Sequence, residues 1–337
     1  METRRLGRTD LAVSVIGFGG IPIQKLTVAE AEAVLGAAAD AGITFFDTAR
    51  GYTDSEEKMG RALSGRRDGI VLATKSLERD PARLAADIDR SLANLRTDRI
   101  DLYQVHNVSE DALLDDVLAP GGLHDTLERA RRAGKIRFIG ITGHKRSVLV
   151  RAVETGRFDT VQHPFNPIEG EWADDLIPLA RRLDVGLIAM KPAAGGAIRD
   201  VPAALRWELA GGMDVVIPGM QRLEEVAANA AVGAALRAPT PDELEGLMRD
   251  KAEWGDCFCR RCGYCLPCPE GLNIPFLLLI QAYYARYDLK EWALERLAGL
   301  EKRYADCVAC GECVERCPYQ LPIPDLMAAA AGEVVPV

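Results

Sequence analysis

Short apolar runs alternate with amphipathic stretches along the first two thirds of the chain. The runs are apolar at nearly every position, which is typical of parallel strands that are buried on both faces. Between them, in segments such as 28–42 and 82–96, apolar residues recur at three- and four-residue spacing, and this pattern predicts helices. We predict eight strands, at residues 13–19, 43–48, 70–75, 100–106, 136–142, 160–165, 185–191 and 215–219.

Strands that alternate with helices in this way build βαβ units, whose right-handed crossovers give a parallel sheet. Eight units over this length favour a closed (β/α)8 barrel, the TIM barrel, over an open doubly wound sheet. The glycine-rich segment GFGGIP at the end of the first predicted strand also lacks the G-x-G-x-x-G spacing of an open-sheet dinucleotide site. The predicted fold class is therefore α/β, with a TIM barrel.

The pattern changes after a helix predicted around 222–233 and a connector predicted at 237–243. Residues 274–304 are helix-rich and aromatic, and we expect their leucine and aromatic side chains to form a core rather than a catalytic surface. We therefore predict a barrel domain over 1–238 and a small helical domain over 239–337.

Composition and charge exclude several classes of protein. Of the 337 residues 48 % are hydrophobic, which is enough for a sizeable core and argues against global disorder. The formal net charge of -9 argues against a nucleic-acid partner or an anionic membrane, since both favour a basic face. The chain also lacks a long apolar run and a secretory signal, so we expect a soluble cytoplasmic protein.

All nine cysteines follow residue 256, in two tight groups. The second group has the spacing C-x2-C-x2-C-x3-C and is followed by Pro318, as in bacterial two-cluster ferredoxins. The first group ends before Pro269 with a last interval of two residues instead of three, and Cys257 is a conceivable substitute for Cys259. The predicted metal ligands are Cys259, Cys262, Cys265, Cys268, Cys307, Cys310, Cys313 and Cys317.

Two 4Fe-4S clusters are the expected occupants of these groups. Zinc is the rival, but structural zinc sites usually pair two C-x-x-C knuckles across a longer loop rather than taking four cysteines from one run. In two-cluster domains the cysteine before the proline binds the opposite cluster. We therefore expect one cluster on Cys259, Cys262, Cys265 and Cys317, another on Cys307, Cys310, Cys313 and Cys268, and a free thiol at Cys257.

Four ionisable residues fall at or just after the ends of three consecutive predicted strands. Asp47 ends the second strand and Tyr52 follows it, while Lys75 and His106 end the third and fourth strands. In a TIM barrel the carboxyl ends of the strands form the catalytic mouth, so these side chains should meet there. Any one of them alone would be ordinary, but together they provide a coherent set of acid–base groups.

Their chemistry suggests reduction of a carbonyl group. A free tyrosine has a pKa near 10, too high for efficient proton donation, and a neighbouring ammonium group lowers it. We expect Lys75, held by Asp47, to lower the pKa of Tyr52, which would protonate a carbonyl oxygen as hydride reaches the carbon. His106 would orient that carbonyl or assist the proton transfer.

With the motifs ETRRLGRTDLAVS, IGFGG, FFDTARGY, ATK, QVH, VQHPFNP and IPG, residues 1–235 resemble the aldo-keto reductase family. The resemblance maps the family's catalytic tetrad onto Asp47, Tyr52, Lys75 and His106. It also implies a nicotinamide cofactor, NAD or NADP, at the barrel mouth. The residues implied to bind it are Gly20, Ile21, Asp47, Thr142, Gln162, Met190, Lys191, Pro192, Gly219, Arg222 and Asn229.

Three positions depart from the family pattern. Thr142-Gly143 stands where the family usually has Ser-Asn, and Met190 stands where an aromatic residue often stacks on nicotinamide. Glu225 falls where many members use an arginine to clamp the 2′-phosphate of NADPH, so NADPH preference is in doubt, although Arg222 lies one turn away. His144 and His163 also lie near the predicted mouth, without an assigned role.

Over its whole length the chain resembles the aldo-keto reductase branch that carries a C-terminal ferredoxin-like domain. The resemblance implies a nicotinamide-dependent oxidoreductase that reduces an aldehyde or ketone, or oxidises the alcohol, with an attached iron–sulfur electron-transfer domain. Such a domain also allows for a redox partner protein. The alternative is a non-catalytic redox sensor or electron-transfer subunit on the same scaffold. No flavin motif is visible in the sequence.

Overall fold

The computed structural model describes residues 1–334 and contains a parallel barrel of eight strands. Neighbouring strands pair in chain order, and bridges from Ile16 to Val216 and from Gly19 to Gly219 close the first strand onto the last. The predicted fold class is confirmed. The barrel strands are β3 (Phe18–Gly19), β4 (Phe45–Asp47), β5 (Val71–Ser76), β6 (Ile100–Val105), β7 (Ile136–Thr142), β8 (Thr160–Pro164), β9 (Gly186–Met190) and β10 (Val215–Ile217).

The helices between the strands pack on the outside of the barrel and bury an apolar face there. The first begins with a capping box, in which the Thr27 hydroxyl accepts from the Glu30 N–H and the Glu30 carboxylate accepts from the Thr27 N–H. These helices are α1 (Val28–Asp40), α2 (Ser55–Leu63), α3 (Pro81–Asn94), α4 (Asp111–Leu118), α5 (Leu123–Arg132), α6 (Arg146–Glu154), α7 (Leu176–Arg182), α8 (Val201–Ala210) and α9 (Leu223–Ala234).

The first predicted strand is split, which corrects the single strand expected at 13–19. Its first part, β2 (Ala12–Ser14), pairs antiparallel with β1 (Thr3–Arg5) in a hairpin, and only Phe18–Gly19 belongs to the barrel. The Ser14 hydroxyl donates to the Ile16 carbonyl, a local side-chain bond that competes with strand pairing. Leu6 of the hairpin packs against Gly186 at the amino end of β9, so the hairpin covers the barrel end opposite to the catalytic mouth.

The second domain is helical. Its helices are α10 (Pro241–Trp254), α11 (Ile274–Ala285), α12 (Lys290–Ala298), α13 (Glu312–Glu315) and α14 (Ile323–Glu333), with a short 3-10 helix at Tyr304–Asp306. In the barrel domain, 3-10 helices cover Pro22–Lys25, Ser64–Gly69 and Gly170–Ala173. The predicted connector at 237–243 is shorter than expected, because Thr240 already caps α10. The domain boundary near 238 stays a prediction, and residues 335–337 of the predicted second domain lie outside the described residues.

The second domain packs against the barrel. Leu247 of α10 and Phe258, which follows it, share an apolar cluster with Ala203 and Ala204 of α8. Ile21 of the barrel packs against the apolar core of the second domain. None of the helices within residues 1–334 is long and apolar enough to cross a membrane.

Candidate active site

Asp47 and Lys75 form a buried ion pair at the carboxyl ends of β4 and β5. The Lys75 ammonium donates to Asp47 Oδ2 at 2.5 Å and to the Thr48 carbonyl at 2.8 Å. Gln104 of β6 donates to the other carboxylate oxygen, Asp47 Oδ1, at 3.3 Å. Both charged side chains are almost fully buried, so the pair is screened little by water.

Tyr52 and His106 lie beside this ion pair. A turn after β4 carries Tyr52, whose N–H donates to the Ala49 carbonyl and whose carbonyl accepts from the Ser55 N–H. The Lys75 ammonium lies 5.2 Å from the centre of the Tyr52 ring, and the His106 ring is 6.0 Å away in an edge-on arrangement. The structure thus brings together the four residues that the strand ends predicted.

The pKa of Tyr52 is shifted upward, opposite to the direction that we expected from the sequence. Burial, and after it the negative charge of Asp47, hold the pKa of the phenol well above its usual value. The expectation that Lys75 lowers this pKa is therefore wrong in this structure, because removing water from the phenol is the larger effect. Burial and the nearby positive charges of Lys75, Arg79 and Lys191 hold the pKa of His106 well below its usual value, so its ring is neutral.

Asp47, Tyr52 and His106 line a cavity of about 420 Å³ at the barrel mouth, and Lys75 lies outside its lining. Of the residues predicted to hold nicotinamide, Gly20, Ile21, Asp47, Thr142, Gln162, Met190, Lys191, Pro192 and Gly219 line this cavity. Among the described residues, Arg222 and Asn229 are not part of its wall: Arg222 is exposed, and Asn229 is buried within α9.

Thr142 and Gln162, two of the residues that the resemblance implies to bind nicotinamide, differ in how many of their hydrogen-bonding atoms are already used by the protein. The Thr142 hydroxyl accepts from the Asn107 N–H at 2.9 Å, and its own hydrogen is free to point into the cavity. The Gln162 carbonyl oxygen accepts from Gln104 at 2.7 Å, and its amide also bonds Asp47. Gln162 is therefore held mainly by protein partners.

Glu225 caps α9 while it lines the cavity. One carboxylate oxygen accepts from the N–H groups of Gln221 and Arg222, and the other pairs with the Arg222 guanidinium at 2.7 Å. Arg222 is thus paired with Glu225, and it does not line the cavity.

The sequence did not reveal that the second domain closes this cavity. Side chains of α11 and α12, and of the loop between them, form part of its wall, which corrects the expectation that they serve only as core: Phe276, Leu279, Tyr283, Arg286, Tyr287, Trp292 and Arg296. The loop after β9 accommodates them with glycine, because a side chain on Gly195 would meet the Tyr287 ring at 2.8 Å. In the sequence, the adjacent glycines Gly195 and Gly196 were the signal that another part of the chain packs closely against this loop.

The cysteines of the two groups face one another. A small cavity is lined by Cys259, Cys262 and Cys265 of the first group together with Cys317 of the second. Burial raises the pKa of the Cys313 thiol, and the thiols of Cys307, Cys310 and Cys268 raise it further, so Cys268 lies near the second group as well as near Cys262, with which it lines another cavity. The Arg316 guanidinium links the two loops by donating to the Pro267 carbonyl at 2.8 Å.

Cys257 lies apart from both sets, with its sulfur 3.6 Å from the Trp254 carbonyl. Within residues 1–334, no three His, Cys, Asp or Glu side chains converge closely enough to hold a single metal ion.

The two histidines without an assigned role differ. His144 lines the cavity, and its buried Nδ1 atom has no partner among the described residues. His163 is a core residue, stacked on Trp172 with 4.7 Å between ring centres and bonded through Nδ1 to the Pro164 carbonyl.

Comparison with known proteins agrees with this geometry. The model of the aldo/keto reductase family matches residues 15–201, and the model of a 4Fe-4S dicluster domain matches residues 258–321. The uncharacterized oxidoreductase YqkF of Bacillus subtilis is 28% identical over 216 residues, which cover 60% of this chain and 68% of that protein. L-galactose dehydrogenase of Arabidopsis thaliana is 32% identical over 219 residues, which cover 59% and 68%.

A solved aldo-keto reductase from Bacillus halodurans, in its holo form, matches with a TM-score of 0.65 at 24% identity. The match covers 74% of this chain and 96% of that one, and it shows a shared fold. The chain therefore belongs to the aldo/keto reductase family, as an oxidoreductase with a C-terminal 4Fe-4S dicluster domain.

Proposed function

We propose that this oxidoreductase reduces an aldehyde or ketone with a nicotinamide dinucleotide, or oxidises the corresponding alcohol. The observation that carries the proposal is that Tyr52, Asp47 and His106 line one cavity, with the Lys75 ammonium paired to Asp47 beside them. At about 420 Å³ the cavity has the size of a small-molecule site.

Tyr52 is the proton donor in this proposal. Because burial raises its pKa, the phenol keeps its proton throughout the ordinary pH range. The oxygen that it protonates has become an alkoxide, a far stronger base than a phenolate, so the transfer stays favourable. The Lys75 ammonium, 5.2 Å from the ring centre, stabilises the phenolate left behind, and Asp47 holds that ammonium in place.

His106 orients the carbonyl group. Its low pKa keeps the ring neutral, so one ring nitrogen can donate to the substrate oxygen without adding a charge to the site. Its Nδ1 atom is buried and has no partner within residues 1–334, as expected of a polar group that is completed by a ligand.

The residues of the cavity wall fit a nicotinamide dinucleotide, which supplies or accepts a hydride when it is bound. The Thr142 hydroxyl can donate to its carboxamide, and Met190 can pack on the ring. The buried side-chain oxygen of Gln221, Oε1, lacks a partner among the described residues, and Gln221 lines the cavity. This oxygen can accept a hydrogen bond from a ribose hydroxyl or an amine of the dinucleotide. Gly20 and Gly219 leave the wall without side chains.

We infer that NADH is the preferred form of the cofactor. Glu225 places a carboxylate in the cavity wall where an arginine would bind a 2′-phosphate, and Arg222 is paired with that carboxylate. The Glu225 carboxylate and a 2′-phosphate placed beside it would repel one another, which disfavours NADPH.

The second domain would hold two 4Fe-4S clusters, on the cysteine sets expected from the sequence. The four thiols that line one small cavity, from both groups, support this partition. A cluster carries one electron whereas a hydride carries two, so the clusters are not direct acceptors of the hydride. We propose that they hold the cavity-closing helices in place and exchange electrons with a partner protein.

Cysteine-ligated clusters need reduced thiols, which supports a cytoplasmic location. The intact set of catalytic side chains supports an enzyme rather than a non-catalytic redox sensor.

The test uses anaerobically purified protein with its clusters. Fluorescence titrations with NADH and NADPH measure binding, and a set of aldehydes and ketones is then screened for oxidation of the bound form. We expect NADH to bind and at least one carbonyl compound to be reduced. Absence of binding by both dinucleotides would overturn the proposal.

A further inference from the structure

Two cationic side chains in the cavity wall lack counter-ions. Lys191 directly follows β9, and Arg286 directly follows α11, so one comes from each domain. Neither the Lys191 ammonium nor the Arg286 guanidinium forms a hydrogen bond or ion pair with a residue of 1–334. A partly buried cation without a partner is unfavourable unless a ligand completes it.

Packing holds the Arg286 side chain, and an uncommon backbone conformation marks Lys191. The Arg286 guanidinium lies 5.4 Å from the centre of the Trp254 ring and 5.5 Å from that of Phe258, and its Nε atom is fully buried. Lys191 has a φ of 58°, a conformation that is uncommon for residues other than glycine and that recurs at functional sites. The Arg286 guanidinium is therefore held in the wall by two aromatic rings, and Lys191 lies at a strained point of the backbone beside it.

The local charge balance is positive. Arg261 lies near both cations, and after burial its charge is the largest influence that lowers the pKa of Lys191, with Arg286 adding to it. The nearby carboxylates are Glu169, which lies 3.7 Å from Arg261, and Glu333, whose charge acts on Arg286, so one of the three positive charges is left without a carboxylate. The excess charge favours an anion in the cavity.

We propose that Lys191 and Arg286 form an anion site, shared by the barrel and the cluster domain, that binds a phosphate or carboxylate group of the ligand in the cavity. The identity of that ligand rests on the proposed function: the anion is either the pyrophosphate of the dinucleotide or a carboxylate on the carbonyl substrate. The competing explanation is that the two cations only balance the charge of the nearby cluster, since Cys259 also acts on Lys191.

Calorimetric titration of the full chain, with its clusters and without oxygen or magnesium, tests the site directly. The probes are inorganic pyrophosphate, benzoate and the neutral analogue benzamide, so the measurement does not depend on turnover. The variants are Arg286→Gln, Lys191→Met and the charge-conserving Arg286→Lys. Arg296→Gln is the matched control, because that guanidinium also lines the cavity but stacks on Trp292 at 3.7 Å and donates to the Gly51 carbonyl.

We expect the wild type to bind pyrophosphate or benzoate, and benzoate more tightly than benzamide. Arg286→Gln and Lys191→Met should each weaken anion binding by about 10-fold or more, the usual effect of a hydrogen bond to a charged group. Arg286→Lys and Arg296→Gln should change it by less than about threefold, since a cation or its other partners remain. If Arg286→Gln loses iron, Lys191→Met, which lies in the barrel, provides the same test.

A repeat of the titration with saturating NADH identifies the source of the anion. Pyrophosphate binding that NADH abolishes assigns the site to the dinucleotide, and benzoate binding that persists assigns it to an acidic substrate. The proposal is overturned if the wild type binds neither anion, or if Arg286→Gln and Lys191→Met bind as tightly as the wild type. Either result would stand whether or not the protein reduces carbonyl compounds.

Discussion

At the scale of single residues, Glu225 has two roles: it caps α9, and we propose that it sets the preference between NADH and NADPH. Its carboxylate accepts from two backbone N–H groups and pairs with Arg222 while it also lines the cavity. Glu225→Arg should therefore shift the ratio of NADPH to NADH affinity by about 10-fold or more toward NADPH, since charge-assisted phosphate contacts are strong. It should also lower the free energy of unfolding by about 1 kcal/mol through loss of the cap.

Fluorescence titration and denaturant unfolding measure the two effects. Glu225→Gln keeps an oxygen acceptor for the cap, so it should affect stability less and shift the affinity ratio less. A wild type that binds NADPH far more tightly than NADH would contradict the role given to Glu225.

His163 predicts a pH dependence of stability. Burial lowers its pKa from 6.5 to about 4, so below pH 6.5 the unfolded chain binds a proton that the folded chain does not. The contribution of His163 is therefore complete above pH 6.5 and is lost as the pH falls toward 4. Between pH 6.5 and pH 5 the loss should be about 2 kcal/mol.

His163→Phe keeps a ring to stack on Trp172 and removes the titrating group. Its free energy of unfolding should consequently fall less between pH 7 and pH 5 than that of the wild type, as measured in denaturant. Equal pH dependence of the two proteins would show that His163 does not titrate as its burial implies.

At the scale of elements, the loop after β9 receives the end of α11. Gly195 has a φ of 66°, and a side chain there would meet the Tyr287 ring at 2.8 Å. Gly195→Ala should lower the free energy of unfolding by about 1–3 kcal/mol, through backbone strain and displacement of Tyr287. The melting temperature measures this effect.

Gly36→Ala is the matched control. It changes a helix-interior glycine with open space around it, so it should stabilise the protein by about 0.5–1 kcal/mol. A Gly195→Ala protein as stable as the wild type would mean that the two domains are packed less closely than the structure has them.

The strands of the barrel could be predicted from the sequence, whereas the role of α11 could not. Strands buried on both faces give continuous apolar runs, and the barrel rule then brings Asp47 and Lys75 to one end. By contrast, α11 is apolar around most of its circumference, so its pattern could not tell core positions from the face that Tyr283 turns to the cavity. The raised pKa of Tyr52 could not be predicted from the sequence either, because burial by another domain leaves no pattern in the residues around Tyr52.

At the scale of the whole molecule, the clusters and the reaction cavity share one set of helices. The first cysteine group precedes α11, whose side chains close the cavity, and the second group follows α12. Loss of either cluster should therefore loosen the cavity wall even though the barrel residues are untouched. We expect this arrangement to couple the cluster domain to the proposed active site through packing.

The ligand partition can be tested by counting iron in cysteine variants. Cys317→Ser should leave about four irons per chain, because one cube is lost. Adding Cys259→Ser should remove no more, since both cysteines are assigned to the same cluster, whereas adding Cys307→Ser should remove the remaining cube. Cys257→Ser is the control and should leave about eight irons.

The opposite pattern would contradict the crossed partition. If Cys317→Ser combined with Cys307→Ser still leaves one intact cluster, each group holds its own cluster.

Replacing Tyr52 by Phe tests the central claim, that Tyr52 protonates the carbonyl oxygen at the mouth of a nicotinamide-dependent barrel. Tyr283→Phe is the matched control, since it removes a phenol oxygen from the part of the same cavity wall that α11 provides. The measurement is single-turnover carbonyl reduction alongside the Kd of NADH. We predict that Tyr52→Phe slows reduction by about 100-fold or more with an unchanged Kd, while Tyr283→Phe does not. Undiminished reduction by Tyr52→Phe would contradict the account.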